Sequence, residues 1–207
     1  MHDTDLDDKA KPDHERLFQT ASQQGGYFTA AQARTSGFSF ASLSYHVRRG
    51  RFIRVRRGLY RLRQYPESTR EDVIAAWLAA GRDDAVVSHE SALDLLGLSD
   101  AVPDNVHLTL PRTMRYRPAT PGVTIHTTTR PLRPEDIVIR DGIRVTSVVR
   151  SILDAAEAGT APEQIVAAVR EAINRGMTTR TQATGAARSR SRRVQHLVQK
   201  AFAGESE

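Results

Sequence analysis

The chain has 207 residues, a net charge of +6, 39% hydrophobic and 26% charged residues, and no cysteine. Those proportions suit a folded globular protein, while the missing thiols exclude disulfides, iron–sulfur clusters, cysteine zinc sites and thiol catalysis. The longest apolar run, 73–80, is far short of the roughly 20 residues of a membrane helix, and the N-terminus opens on Asp3, Asp5, Asp7 and Asp8 rather than a basic start, so the expectation is a soluble cytoplasmic protein without a membrane partner.

Residues 1–11 read as a disordered acidic tail. The spacing of Leu17, Phe18 and Ala21 then predicts a helix from about Asp13, with those three residues inward and Gly25-Gly26 as its stop. Thr29 and Gln32 have the spacing of a capping box, opening a second helix that ends at Gly37. Ser39 caps a third helix, Phe38 and Leu43 form its hydrophobic staple, and Gly50 closes it. Residues 52–56 and 59–63 alternate as two strands around Arg57-Gly58, where glycine can take the positive φ of a tight hairpin. Three helices followed by a hairpin are the layout of a winged helix-turn-helix, expected over 12–65. Nine of the chain's twelve aromatic residues fall in it, which helps so small a domain bury enough area.

Residues 64–69, with Pro66, read as a linker. Beyond it come a helix at 71–81 around Trp77 and a second from Ser88 to Leu96. Strands are expected at 106–110, 123–127, 137–139 and 143–145, the last two joined at Asp141-Gly142. Helices follow at 148–158, at 162–175 with proline in the first turn, and at 192–203. The fold class is therefore α+β: an N-terminal winged helix-turn-helix, then a mixed α+β domain at 66–207 ending in a basic helix.

The charge is segregated along this layout. Residues 16–66 hold ten arginines and no acid, and 175–204 hold six arginines and one lysine without an acid. The stretch 67–174 between them comes to 11 − 16 = −5. An acid-free basic block of this length points to a polyanionic partner. On a wheel of the third helix Phe40, Leu43 and Val47 form one stripe, expected to be buried. Ala41, Ser42, Tyr45, Arg48 and Arg49 lie opposite, with His46 at the edge. Small residues allow close approach to a major groove and arginine reaches guanine edges or phosphates. In the hairpin Arg54 and Arg56 point away from Ile53 and Val55, and Arg51, Arg57, Arg61 and Arg63 extend the row. These arginines read as phosphate contacts that set affinity and register. The competing reading is an edge hairpin guarded by charge against aggregation. The run 188–193 reads equally as extra phosphate contacts or a solvated segment.

Signals for catalysis are weak. No phosphate-binding loop, nucleophile elbow or dinucleotide fingerprint occurs. The three lysines, Lys9, Lys11 and Lys200, lie near the termini, which speaks against a restriction-type nuclease centre. His107 and His126, on candidate strands, can meet in space, but half-buried structural histidines are the expectation, and His89 reads as part of a helix start. No catalytic residue, metal or cofactor is expected, and the chain is read as a non-enzyme.

Residues 26–33, 44–50 and 57–61 (Gly26-Tyr27-Phe28-Thr29-Ala30-Ala31-Gln32-Ala33 and, in the hairpin, Arg57-Gly58-Leu59-Tyr60-Arg61) resemble the N-terminal winged-helix domain of the AbiEi-family antitoxins of type IV toxin–antitoxin systems. Ser88-His89-Glu90-Ser91-Ala92, Leu96-Gly97-Leu98, 106–111 and 141–147 resemble the core that follows in bacterial members, so the similarity spans about 12–175. The resemblance implies a DNA-binding repressor and antitoxin in one chain. The winged helix would bind double-stranded DNA at inverted repeats in its own promoter, through Ser42, Tyr45, Arg48, Arg49 and the hairpin arginines. The C-terminal domain would oppose a nucleotidyltransferase toxin without a stable complex. Monomer or weak dimer is the expected state. The alternative is a stand-alone transcriptional regulator whose C-terminal domain dimerises or senses a ligand.

Overall fold

The computed structural model describes residues 11–116, 118, 120–128 and 132–203. The tail expected at 1–11 lies outside the described residues, apart from Lys11. The chain divides into two compact units, Met1–Leu78 and Ala79–Glu207.

The first unit contains α1 (His14–Ser22), β1 (Tyr27–Thr29), α2 (Ala30–Thr35), α3 (Phe40–Arg48), β2 (Phe52–Arg56) and β3 (Leu59–Leu62), followed by most of α4 (Glu71–Ala80), within which the division falls. The expected linker thus lies inside this unit. Local chemistry starts each helix. The Asp13 carboxylate accepts from the Arg16 amide at 2.9 Å. Thr29 Oγ1 accepts from the Gln32 amide while Gln32 Oε1 accepts from the Thr29 amide, completing the capping box. Ser39 Oγ accepts from the Ser42 amide. Each cap contributes about 1 kcal/mol by satisfying amides that have no partner inside the helix.

The three strands form an antiparallel sheet in the order β1-β3-β2, with Phe28 opposite Tyr60 and Phe52 opposite Leu62. Helices and sheet close over Leu17, Ala21, Phe28, Ala33, Phe38, Leu43, Phe52, Tyr60 and Leu62. Phe28 stacks on Tyr60 with centroids 5.6 Å apart and meets Phe52 edge-on at 5.1 Å. Such aromatic pairs add about 1 kcal/mol each beyond their buried area. Gly26 has φ +85°, and a Cβ there would lie 2.2 Å from the Tyr65 ring, so no other residue fits under that ring.

Two inward assignments differ from expectation. Phe40, the first residue of α3, is 64% exposed, and Phe18 is 39% exposed. The buried arc of α3 is instead Leu43 and His46, with Val47 half-buried, so it is rotated away from Phe40 toward His46. The helix lies on Phe38 and Phe52, and His46 stands 4.9 Å from the Phe52 ring.

The second unit is a mixed five-stranded sheet backed by helices. Its elements are β4 (Val86–Val87), α5 (His89–Leu95), β5 (Val106–Pro111), β6 (Val123–Thr128), β7 (Ile137–Arg140), β8 (Ile143–Thr146), α6 (Val148–Ala158), α7 (Pro162–Asn174), α8 (Arg180–Ala187) and α9 (Arg192–Lys200). The order is β6-β5-β4-β8-β7, with β5/β6 and β4/β8 parallel and the other pairs antiparallel. Asp141 and Gly142 both have positive φ, the requirement of a two-residue type I′ hairpin turn. Helix α5 packs on β5, β8 and α6, and α6 to α9 pack on one another. β4 and α8 are elements that the sequence pattern does not reveal. The protein is thus mixed α+β, with a winged helix-turn-helix at its start.

Candidate nucleic-acid interface

The basic block of the first unit is carried by α3, the loop after it and the β2–β3 hairpin. Tyr45, Arg48 and Arg49 are exposed at the C-terminal end of α3, and the Arg49 guanidinium lies 5.5 Å from the Tyr45 ring centroid. That distance allows a cation–π contact, which presents ring and guanidinium to solvent together. Ala41 and Ser44 are exposed on the same helix, and Ser42 is half-buried.

Arg51 and Arg63 flank the hairpin, tied by the Arg63 amide donating to the Arg51 carbonyl at 3.1 Å, and both side chains are exposed. Arg54 and Arg56 project from β2, with a register shift between them, and Arg57 occupies the turn beside Gly58, whose φ is +78°. Among the described residues, Arg48, Arg49, Arg51, Arg54, Arg56, Arg57 and Arg63 form no ion pair and no side-chain hydrogen bond. Ordinary surfaces intersperse acids among such cations. Here the donors stay unused, and close like charges repel.

Two residues expected on this surface leave it. Arg61 is 8% exposed, because β1 pairs with the far side of β3 and turns an expected outer strand into the central one. Its guanidinium lies 5.8 Å from the Tyr27 ring centroid and donates to the Tyr65 carbonyl at 2.9 Å, while Nε has no hydrogen-bond partner. His46 is 5% exposed and sits among the rings of His14, Phe38, Tyr45 and Phe52. Burial, and then the nearby His14 and Arg51, hold its pKa below the ordinary histidine value. A neutral, enclosed imidazole offers no charge to a phosphate. In their place the structure adds Phe40, whose exposed ring suits apolar contact with a thymine methyl. The signal for it was the helix start itself: Phe40 directly follows the cap Ser39, where a side chain can leave the core stripe.

The second basic block is arranged differently. Arg190 Nη2 donates to Asp154 Oδ1 at 2.7 Å, Arg150 Nε donates to Asp154 Oδ2 at 2.6 Å, and Asp154 is 6% exposed. Arg193 donates to the Ala156 carbonyl at 2.9 Å. Ser191 caps α9, and its hydroxyl also donates to Glu157. Arg190, Ser191 and Arg193 of the run 188–193 are therefore spent on internal bonds, while Arg188 and Arg192 are exposed.

No helix among the described residues is long and apolar enough to cross a membrane. Comparison with solved structures finds the RV2827C protein from Mycobacterium tuberculosis, 13% identical, with a TM-score of 0.55 over 90% of this chain and 76% of that one. That likeness speaks to the fold alone. No curated protein matches the chain. Residues 15–63, which hold α1 to β3, match the family described as transcriptional regulator, AbiEi antitoxin. The likeness to that family of transcriptional regulators is confined to this winged-helix segment.

Proposed function

We propose that this chain binds double-stranded DNA at inverted repeats in its own promoter and represses that operon. In this reading α3 enters the major groove, and the β2–β3 hairpin with Arg51 and Arg63 grips the flanking backbone. As an antitoxin, the chain opposes a nucleotidyltransferase toxin without forming a stable complex, and the residues beyond the winged helix, 66–207, carry that role. It acts in the cytoplasm as a monomer or weak dimer, and not as an enzyme. The observation that carries the DNA reading is the set of seven exposed arginines, unpaired among the described residues, in a stretch of 51 residues, 16–66, that contains no acid.

Within that set the roles divide by position. Ser42, Tyr45, Arg48 and Arg49 on and just after α3, joined by Phe40, read base edges and the backbone beside them. Arg51, Arg54, Arg56, Arg57 and Arg63 contact phosphates. If on the order of six phosphates are engaged, log affinity falls with log salt at a slope of about −5.

A mobility-shift titration of the upstream duplex and a random duplex, at two salt concentrations, tests this. Arg49→Ala is expected to weaken the upstream duplex about tenfold and narrow its advantage over random DNA. Arg56→Ala is expected to weaken both duplexes alike and to flatten the salt slope by about 1. Equal losses on both duplexes for both variants would show that α3 is not the reading helix.

A regulator whose second unit senses a ligand is the competing reading, and one observation favours it: a convergent group of imidazoles in that unit. A harmless neighbouring gene on co-expression would favour this reading, and rescue from a toxic one the antitoxin.

A further inference from the structure

Three histidines far apart in sequence meet in the second unit. His89 opens α5, His107 lies on β5 and His126 on the adjacent edge strand β6. His126 Nε2 is 3.2 Å from His107 Nδ1, the His89 and His126 rings stack with centroids 3.5 Å apart, and one nitrogen of each ring lies within 4.8 Å of the others. His89 is buried and the other two are half-buried. Geometry alone thus supplies three nitrogen donors from three rigid elements.

The surroundings hold these rings in place. The Ser88 amide donates to the His107 carbonyl at 3.0 Å, and the His107 amide donates to Ser91 Oγ at 2.9 Å, so α5 is strapped to β5 on both sides of His89. Thr109 Oγ1 donates to Ser88 Oγ, which shares a hydrogen bond with His89 Nδ1 at 2.8 Å. His89 is also a non-glycine residue with φ +53°, a conformation that costs on the order of 1 kcal/mol and persists only where its surroundings enforce it. Burial, first among the causes, pushes its pKa down to about 3, and it lowers His107 and His126 as well. Burial disfavours the charged form of each ring, and neutral imidazole is the form that binds metals.

We propose that His89, His107 and His126 bind one divalent transition-metal ion of the zinc class. Two nitrogens bound to zinc at about 2.05 Å in tetrahedral geometry stand about 3.3 Å apart, close to the His107–His126 separation of 3.2 Å. The ion draws in His89 and unstacks it from His126, because rings that share one metal diverge from it. Three imidazoles leave a fourth position for water or an anion. Glu90, which accepts from Thr160 Oγ1, is the carboxylate that offsets the added charge beside His107, whereas Asp154 near His126 is already paired with Arg150 and Arg190, whose charges also act on His89. With Nε2 facing the ion, His89 Nδ1–H donates to Ser88 Oγ, the outer contact that orients such a ligand.

The test uses untagged full-length protein, stripped with a chelator and titrated with Co²⁺ and then Zn²⁺. One Co²⁺ per chain is expected, with visible absorption of a four-coordinate site that Zn²⁺ abolishes, and a higher melting temperature for the loaded protein. His126→Asn, on an edge strand, is expected to fold and to lose at least tenfold in affinity. His107→Asn is expected to do the same. Ser88→Ala is expected to lose about tenfold, and His196→Asn, exposed on α9, to change nothing. No saturable uptake at micromolar metal by the parent chain overturns the proposal. So does uptake by folded His126→Asn equal to that of the parent.

Discussion

Most arginines of the two units have the same chemistry and different fates, although Arg112, Arg140, Arg188 and Arg192 of the second are also exposed without an ion pair among the described residues. In the first unit seven of them stand exposed without ion pairs among the described residues, on a hairpin and helix with no acid within reach in sequence. In the second, Arg150 and Arg190 converge on one nearly buried carboxylate, Arg193 and Arg175 bind backbone carbonyls, and Arg133 pairs with Glu135 and Asp136. A guanidinium that already has an acceptor holds its own fold together. One without an acceptor must find it in another molecule. Net charge therefore says less about partners than the local supply of acceptors does.

That contrast can be broken at several points. The largest effect is expected from Asp154→Ala, which leaves Arg150 and Arg190 facing each other without their shared anion. Breaking a buried pair by removing one side costs about 3 kcal/mol or more, read as a lower denaturation midpoint, while DNA affinity per folded molecule stays unchanged. Loss of DNA binding by a folded Asp154→Ala protein would show that the second basic block does reach the duplex. Next comes Phe40→Ala. With its ring 64% exposed, the variant is expected to keep stability within about 0.5 kcal/mol and to weaken binding of the upstream duplex several-fold. A loss of about 3 kcal/mol in stability would instead put Phe40 in the core.

The smallest effect concerns pH. His46 has a folded pKa below its unfolded value of about 6.5. Below pH 6.5 the unfolded chain takes up a proton that the folded one refuses, so stability falls as pH drops through that window toward the folded value. His46→Leu is expected to flatten the dependence, measured as the melting temperature of the first unit from pH 7.5 to 5.5. An unchanged slope in that variant would mean that His46 titrates freely.

Much of this architecture was legible because it is local. The capping box of Thr29 and Gln32, the cap at Ser39 and the hairpin turns at Gly58 and Asp141-Gly142 depend on residues a few positions apart, and the structure has each of them. Non-local pairing was not legible. β1 is only three residues long and exists because it pairs with β3, and that pairing is what buries Arg61. The phase of α3 slipped for a related reason. A wheel places Phe40 in the stripe by hydrophobicity, but the helix lies on Phe38 and Phe52, and that contact takes the edge imidazole of His46 instead. The histidine cluster needed three segments brought together by the sheet. His107 and His126 were recognisable as neighbours across strands, and His89 was not.

Tyr27 shows where the winged helix ends as a physical object. Its ring is fully buried, and its hydroxyl accepts from the Ser68 amide at 3.1 Å and donates to Glu71 Oε2 at 2.9 Å. A fragment cut after the last strand would strip both partners from an enclosed phenol, a penalty of about 1–3 kcal/mol on a module with little stability to spare. Anyone excising this module for binding work should carry the chain through Leu78, where the first compact unit closes.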